Sequence, residues 1–128
     1  MLNKIVVDAN YLISYFEKKI DFDKNIVVPT PALTEFLLGF SILESRIKIF
    51  NHIKENFIIK DFDTNSALEC ANLLNNFDKA QKTESWQKTK FDFQIIAIAK
   101  ANNINTIYTN DKQVKKIAEL NGINAKFY

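Results

Sequence analysis

The sequence predicts an α/β protein in which a central, mostly parallel sheet carries helices on both faces. Three observations carry that prediction. Strand-like and helix-like segments alternate along the chain, the strand candidates are short runs rich in β-branched residues, and each gives way at once to a segment with helical periodicity. Parallel neighbours need crossover connections, and helices are the usual crossovers.

The elements follow in order. Residues 4–7, KIVV, form a strand ending at Asp8, and ANYLISYFEKK then spaces Leu12, Ile13, Tyr15 and Phe16 as a helix does. NIVVP, residues 25–29, is the second strand. Thr30 before Pro31 reads as an N-cap with proline at the first helical position. Ala32, Leu33, Phe36, Leu37 and Phe40 give the next helix its apolar stripe, and Glu44-Ser45 bends the chain into another carrying Ile47, Phe50 and Ile53. FIIKDF, residues 57–62, is the third strand, and Thr64 is expected to cap a helix running to about Phe77. Residues 78–90, DKAQKTESWQKTK, lack periodicity and read as a loop or frayed helix end. FDFQIIAIAKANN is an almost wholly apolar helix, TIYT a strand, DKQVKKIAELNG a helix ended by Gly122, and AKFY a last short strand.

A chain of 128 residues that is 47% hydrophobic suits one domain, residues 1–128, with a sizeable core. Its net charge of +2 says little about partners. No apolar run approaches the roughly 18 residues that span a bilayer, and MLNKIVVDAN has no signal-peptide pattern, so a cytoplasmic location away from membranes is the expectation. Cys70 is the only cysteine and lies on an apolar stripe with Ala67, Ala71 and Leu74, where it reads as a small buried hydrophobe. With glycine only at positions 39 and 122, a Gly-rich phosphate loop is excluded.

Functional information therefore concentrates in carboxylates. In open parallel sheets the functional crevice lies outside the carboxyl ends of the strands. Asp8 follows the first strand, Asp111 follows TIYTN, Glu35 lies one turn into the helix after the second strand, and Asp92 opens the alanine-bearing helix. Taken alone, each has a plainer explanation: Asp8 and Asp111 as N-caps, Asp92 as an acid favoured by a helix dipole, Glu35 as a solvated edge residue. Jointly, four acids on one rim repel one another unless they take up protons or bind a hard cation through oxygen. The one histidine, His52, lies in an amphipathic helix between Asn51 and Ile53 and is not assigned a ligand role.

The segments VVDANYLI, TPALTEFLLG, FDFQIIAIAKANN and IYTNDKQV together resemble the PIN-domain ribonucleases, and among them the short VapC-like toxins of toxin–antitoxin pairs, over essentially the whole chain. The resemblance implies a three-layer sandwich and a site of Asp8, Glu35, Asp92 and Asp111 holding Mg²⁺ or Mn²⁺. It implies hydrolysis of RNA phosphodiester bonds, a small antitoxin partner and a homodimer. It further implies that Asn10 and Thr109 shape the site by hydrogen bonding and that Asn110 lies close by. After Asp111 the chain lacks the Asp-Phe pair of many relatives, so Asp111 is the weakest of the four as a direct ligand.

Outside those four acids, 11 acids face 17 bases, a net +6. Lys79, Lys82, Lys88 and Lys90 crowd the polar segment before Asp92, with Trp86, Phe91 and Phe93 interleaved, which suits phosphate contact and base stacking. Lys88, Lys90 and Trp86 are the candidate RNA contacts, against the alternative of a solvated lysine-rich loop. Arg46 is the only arginine, so lysine must supply the cationic contacts. Competing functions are a housekeeping PIN nuclease that processes RNA, a non-catalytic α/β signalling module such as a phospho-receiver, and an inactive PIN interaction surface. A receiver wants paired acids at the first strand, which this chain lacks.

Overall fold

Short runs rich in β-branched residues build most of the sheet. The computed structural model describes residues 3–20, 25–75 and 86–128, and for residues 86–89 the backbone alone. Its strands are β1 (Ile5–Val7), β2 (Ile26–Pro29), β3 (Ile58–Lys60), β4 (Thr106–Tyr108) and β5 (Asn124–Lys126). All pairings are parallel, in the order β3-β2-β1-β4-β5. The chain thus moves outward from β1 through β2 to β3, then crosses back to place β4 on the other side of β1. The reversal lies between β1 and β4, and their carboxyl ends flank the crevice that this topology opens.

Helices α1 (Ala9–Phe16), α2 (Thr30–Leu37), α3 (Leu43–Asn56), α4 (Thr64–Asn75), α5 (Trp86–Ala101) and α6 (Lys112–Leu120) complete the fold. The pleat sorts the core into two layers. Val6, Val27 and Ile107 pack with Cys70 and Leu73 of α4, Ile95 and Ile96 of α5, and Val114 and Ile117 of α6. Val7, Ile26 and Val28 face the opposite way, against Leu12 of α1 and Ile53 of α3. Helix α2 serves both layers, through Ala32 in one and Leu33 and Phe36 in the other. A three-layer α/β sandwich results, as the alternating pattern predicts.

Helix α5 is the central support. Phe93, Ile95, Ile96, Ala97, Ile98 and Ala99 are all buried, as expected of a helix that is apolar nearly all round. Gly122, at φ +76°, ends α6 in a conformation that costs glycine little, with the Ile123 amide donating to the Ala118 carbonyl at 2.9 Å.

Several boundaries differ from the sequence expectation. Residues 86–90, expected in a loop or a frayed helix end, begin α5, so Asp92 stands in its second turn instead of opening it. Trp, Gln and Lys all tolerate helix, so the absence of an apolar stripe in the sequence does not exclude one here. Thr30 is the first residue of α2, not its cap; its hydroxyl oxygen accepts from the Phe62 amide at 3.1 Å and so ties α2 to the end of β3. Asp63, not Thr64, caps α4, because its Oδ1 accepts from both the amide and the hydroxyl of Ser66 at 2.9 Å. Phe77 lies outside the described residues. His52, read as surface-like, is half-buried, with its Nε2 3.1 Å from the Tyr15 hydroxyl and its ring against Phe16.

Candidate acidic site at the sheet reversal

Strand register brings the first two site residues together. Val7 of β1 lies opposite Tyr108 of β4, so the next positions, Asp8 and Thr109, face each other where both strands end. Thr109 is fully buried and its hydroxyl donates to Asp8 Oδ2 at 2.7 Å. The other oxygen of Asp8 accepts from the Tyr11 amide at 3.0 Å, so Asp8 also caps α1. Asp8 is only 6% exposed. A buried carboxylate is costly unless donors or a cation compensate it, and here one hydroxyl and one amide fix both oxygens in place.

Thr109 also holds Asp111. Its hydroxyl oxygen accepts from the Asp111 amide at 3.0 Å, while Asp111 Oδ1 accepts from Gln113 and Val114 amides at 2.8 and 3.2 Å. Asp111 therefore caps α6, and the capping explanation is physically real for both Asp8 and Asp111. One threonine couples the two caps.

Glu35 and Asn10 share a cavity that Ala9, the residue after Asp8, also lines. It measures about 490 Å³ and lies between α1 and α2, with Ile13, Phe16, Phe36 and Phe40 as its apolar wall. Asn10 is exposed and Glu35 half-buried. Asp92 is 4% exposed on α5, which packs against both α2 and β1, the elements carrying Glu35 and leading to Asp8. Asn110 turns to the chain's last residue: its Oδ1 accepts from the Tyr128 amide at 3.1 Å, and its Nδ2 donates to the Tyr128 carbonyl oxygen at 3.4 Å.

Tyr128 closes this side of the site. Its ring sits edge-on to Tyr11 at 5.2 Å, and Tyr11 in turn stacks on Tyr108. Burial, reinforced by the negative charge of Asp8, pushes the Tyr128 phenol up to about 12, so it remains a neutral hydroxyl. Sequence reading missed this residue, because nothing in the AKFY run distinguishes a site wall from a strand end.

The donor set is all carboxylate, hydroxyl and amide oxygen, which suits a hard divalent cation. Among the described residues, however, no three His, Cys, Asp or Glu side chains gather closely enough to hold a metal ion as they stand. Of the proposed RNA contacts, Lys90 is exposed on α5, while the side chains of Trp86 and Lys88, and the whole of Lys79 and Lys82, lie outside the described residues. Arg46 is committed locally, its guanidinium donating to the Phe40 carbonyl at 3.0 and 2.6 Å.

An all-parallel α/β sandwich with acids at its reversal point defines a class of fold, and the comparisons place the chain within it. The PIN domain family model matches residues 5–120, and the chain belongs to that family. Among solved structures, DNA-bound VapBC from Salmonella typhimurium is similar with a TM-score of 0.71 and 16% identity, covering 98% of each chain. VapBC2 from Rickettsia felis, bound to a DNA fragment from its promoter, gives 0.69 and 18%, covering 97% of this chain and 98% of that one. FitAcB from Neisseria gonorrhoeae gives 0.56 and 16%, covering 94% and 95%. At such identities the likeness shows the fold. No curated protein matches the chain. Among the described residues no helix is long and apolar enough to cross a membrane.

Proposed function

We propose that this protein is a divalent-metal-dependent endoribonuclease and the toxin of a VapBC-type pair. The observation that carries the reading is the buried carboxylate of Asp8, held at the sheet reversal by Thr109 and by the first turn of α1. A carboxylate kept that dry and that fixed is built to present a negative charge in one direction. As N-cap alone, Asp8 would need neither the threonine nor the burial.

Asp8, Asp92 and Glu35 would hold the cation by drawing in around it from their present positions, with Asp111 acting through water. When bound, a Mg²⁺ or Mn²⁺ ion lowers the pKa of its water and offsets charge on the scissile phosphate. Thr109 keeps Asp8 oriented, and Asn10 offers an amide on the Glu35 side of the rim. No histidine is required as general base, and the half-buried pairing of His52 with Tyr15 leaves it to α3 packing.

Two protein partners belong to the same reading. The similar VapBC structures are complexes by name, and an antitoxin segment would seat apolar side chains in the cavity walled by Ile13, Phe16, Phe36 and Phe40, beside Glu35. A second copy of the chain would cover Leu38, Ile42, Leu43 and Ile47, which are 68%, 65%, 64% and 49% exposed around the turn from α2 to α3.

The test incubates wild type, Asp8→Ala and Asp92→Ala with total RNA and Mg²⁺ or Mn²⁺. Cleavage by wild type alone, abolished by EDTA, supports the proposal. Absence of cleavage by wild type, or cleavage that survives EDTA and both substitutions, rejects it. A housekeeping role would show instead as cleavage without growth arrest on expression.

A further inference from the structure

Helix α6 carries a cationic stripe that continues the acidic rim. Its buried side is Val114, Ile117 and Ala118; the opposite side presents Lys112, Lys115 and Lys116, at i, i+3 and i+4. These lysines, with Glu119 and Leu120 at the far end, line a shallow groove of about 380 Å³. Lys112 directly follows Asp111, the cap at the site, so the stripe starts at the rim and runs down about one turn, roughly 6 Å at the helical rise.

An exposed aromatic stands beside it. Phe127 is 58% exposed, and the Lys115 ammonium sits 4.7 Å from its ring centroid. Register locates Phe127 with respect to the site. Tyr108 lies opposite Lys126, so Thr109 and Phe127 are the next pair, just as Asp8 and Thr109 are on the other side of β4. Asp8, Thr109 and Phe127 thus lie in one row across three strand ends, and two interstrand spacings put Asp8 and Phe127 roughly 10 Å apart. The Thr109 amide donates to the Lys126 carbonyl at 3.0 Å, which holds that row together.

We propose that Lys112, Lys115 and Lys116, with Phe127, form a track for single-stranded RNA leading into the acidic site, the lysines meeting phosphates and Phe127 stacking on a base. This rests on the nuclease reading. A carboxylate site repels a polyanion, so the polyanion must be recruited by cations at its border. An aromatic surface among those cations favours a strand with unpaired bases over a purely acidic peptide.

The experiment measures binding of a short fluorescein-labelled single-stranded RNA by anisotropy, in EDTA, across a salt series. Lys112→Glu/Lys116→Glu is expected to weaken binding about tenfold or more and to flatten the log–log salt slope by about 1.4, because each lost single-strand phosphate contact removes about 0.7. The matched reversal Lys48→Glu/Lys54→Glu on α3 leaves affinity and slope close to wild type. Phe127→Ala weakens binding about fivefold or more with the slope kept, and Phe127→Trp restores it. Circular dichroism melts confirm that each variant is folded.

Unchanged binding by the α6 reversal overturns the proposal, as does an equal loss from the α3 reversal, which would reflect net charge alone. Displacement of the RNA by polyglutamate at equal charge, as effective as by unlabelled RNA, overturns it in favour of an acidic protein. Cleavage by wild type together with indifference to the α6 reversal rejects the track and keeps the nuclease. Loss of RNA binding in a protein whose wild type never cleaves does the reverse.

Discussion

The hydroxyl of Thr109 donates to Asp8 Oδ2 at 2.7 Å, bridging the two strand ends at which the sheet order reverses. Because the same oxygen of Thr109 accepts from the Asp111 amide, one side chain fixes two acids. Thr109→Val keeps shape and volume but removes the hydroxyl that donates to Asp8 Oδ2 and accepts from the Asp111 amide. Loss of a charge-assisted bond of about 1.5–3 kcal/mol predicts roughly a ten- to hundredfold fall in RNA cleavage. Thr109→Ser restores the hydroxyl and recovers most of it. Equal activity for Val and wild type would show that Asp8 needs no such support.

Asp111 separates capping from catalysis. Asp111→Ala removes an acceptor for the Gln113 and Val114 amides and is expected to cost about 1 kcal/mol, seen as a fall of a few degrees in melting temperature. Asp111→Asn keeps a capping oxygen and removes the charge, so it should melt close to wild type. Cleavage lost in the asparagine variant then reports on the charge. Cleavage kept there and impaired in alanine would make Asp111 a helix cap alone.

The sheet was legible because β-branched runs and crossover helices obey local rules, and β1, β2 and β4 fall within a residue or two of expectation. Asp8 was legible for the same reason: it is the first residue after a strand. What local pattern could not supply was pairing. That Thr109 faces Asp8 follows from register between strands about a hundred positions apart, and the placement of Phe127 in the same row follows from register with β5. The start of α5 was misplaced because apolar periodicity is the sequence signal of a helix, and the polar run WQKTK shows none. The caps shifted by one residue at Thr30 and Thr64 because both side chains, or their neighbours, had other partners: Phe62 for Thr30, and Asp63 in place of Thr64.

Asp63 gives the fold a defined acid response. Bonds from the amide and hydroxyl of Ser66 hold its carboxyl below the ordinary value of 3.8 in the folded chain. A depressed folded pKa contributes stability above the unfolded value and loses it as pH falls through the folded one. Asp63→Ala should therefore melt lower than wild type at neutral pH, with the difference shrinking below about pH 4. Melting curves recorded from pH 7 to pH 2 test this, and a gap that stays constant to the lowest pH would remove Asp63 from the acid response.

Cys70 provides a test of the α4–α5 layer that is independent of activity. It is 7% exposed, packed in the same core layer as Leu73, Ile95 and Ile96, and burial raises its thiol above the ordinary value of 9.0. Reactivity with a disulfide reagent needs both thiolate and access, and the native protein denies both. At pH 8 the folded chain should react slowly, at a rate set by opening of this layer, while the chain in denaturant reacts at once and releases one equivalent. Ile96→Ala, which empties part of the same layer and should cost about 2–5 kcal/mol, is expected to speed native labelling. Immediate labelling of the folded wild type would mean that α4 does not pack on α5 closely enough to bury the thiol, as the packing of Cys70 and Leu73 requires.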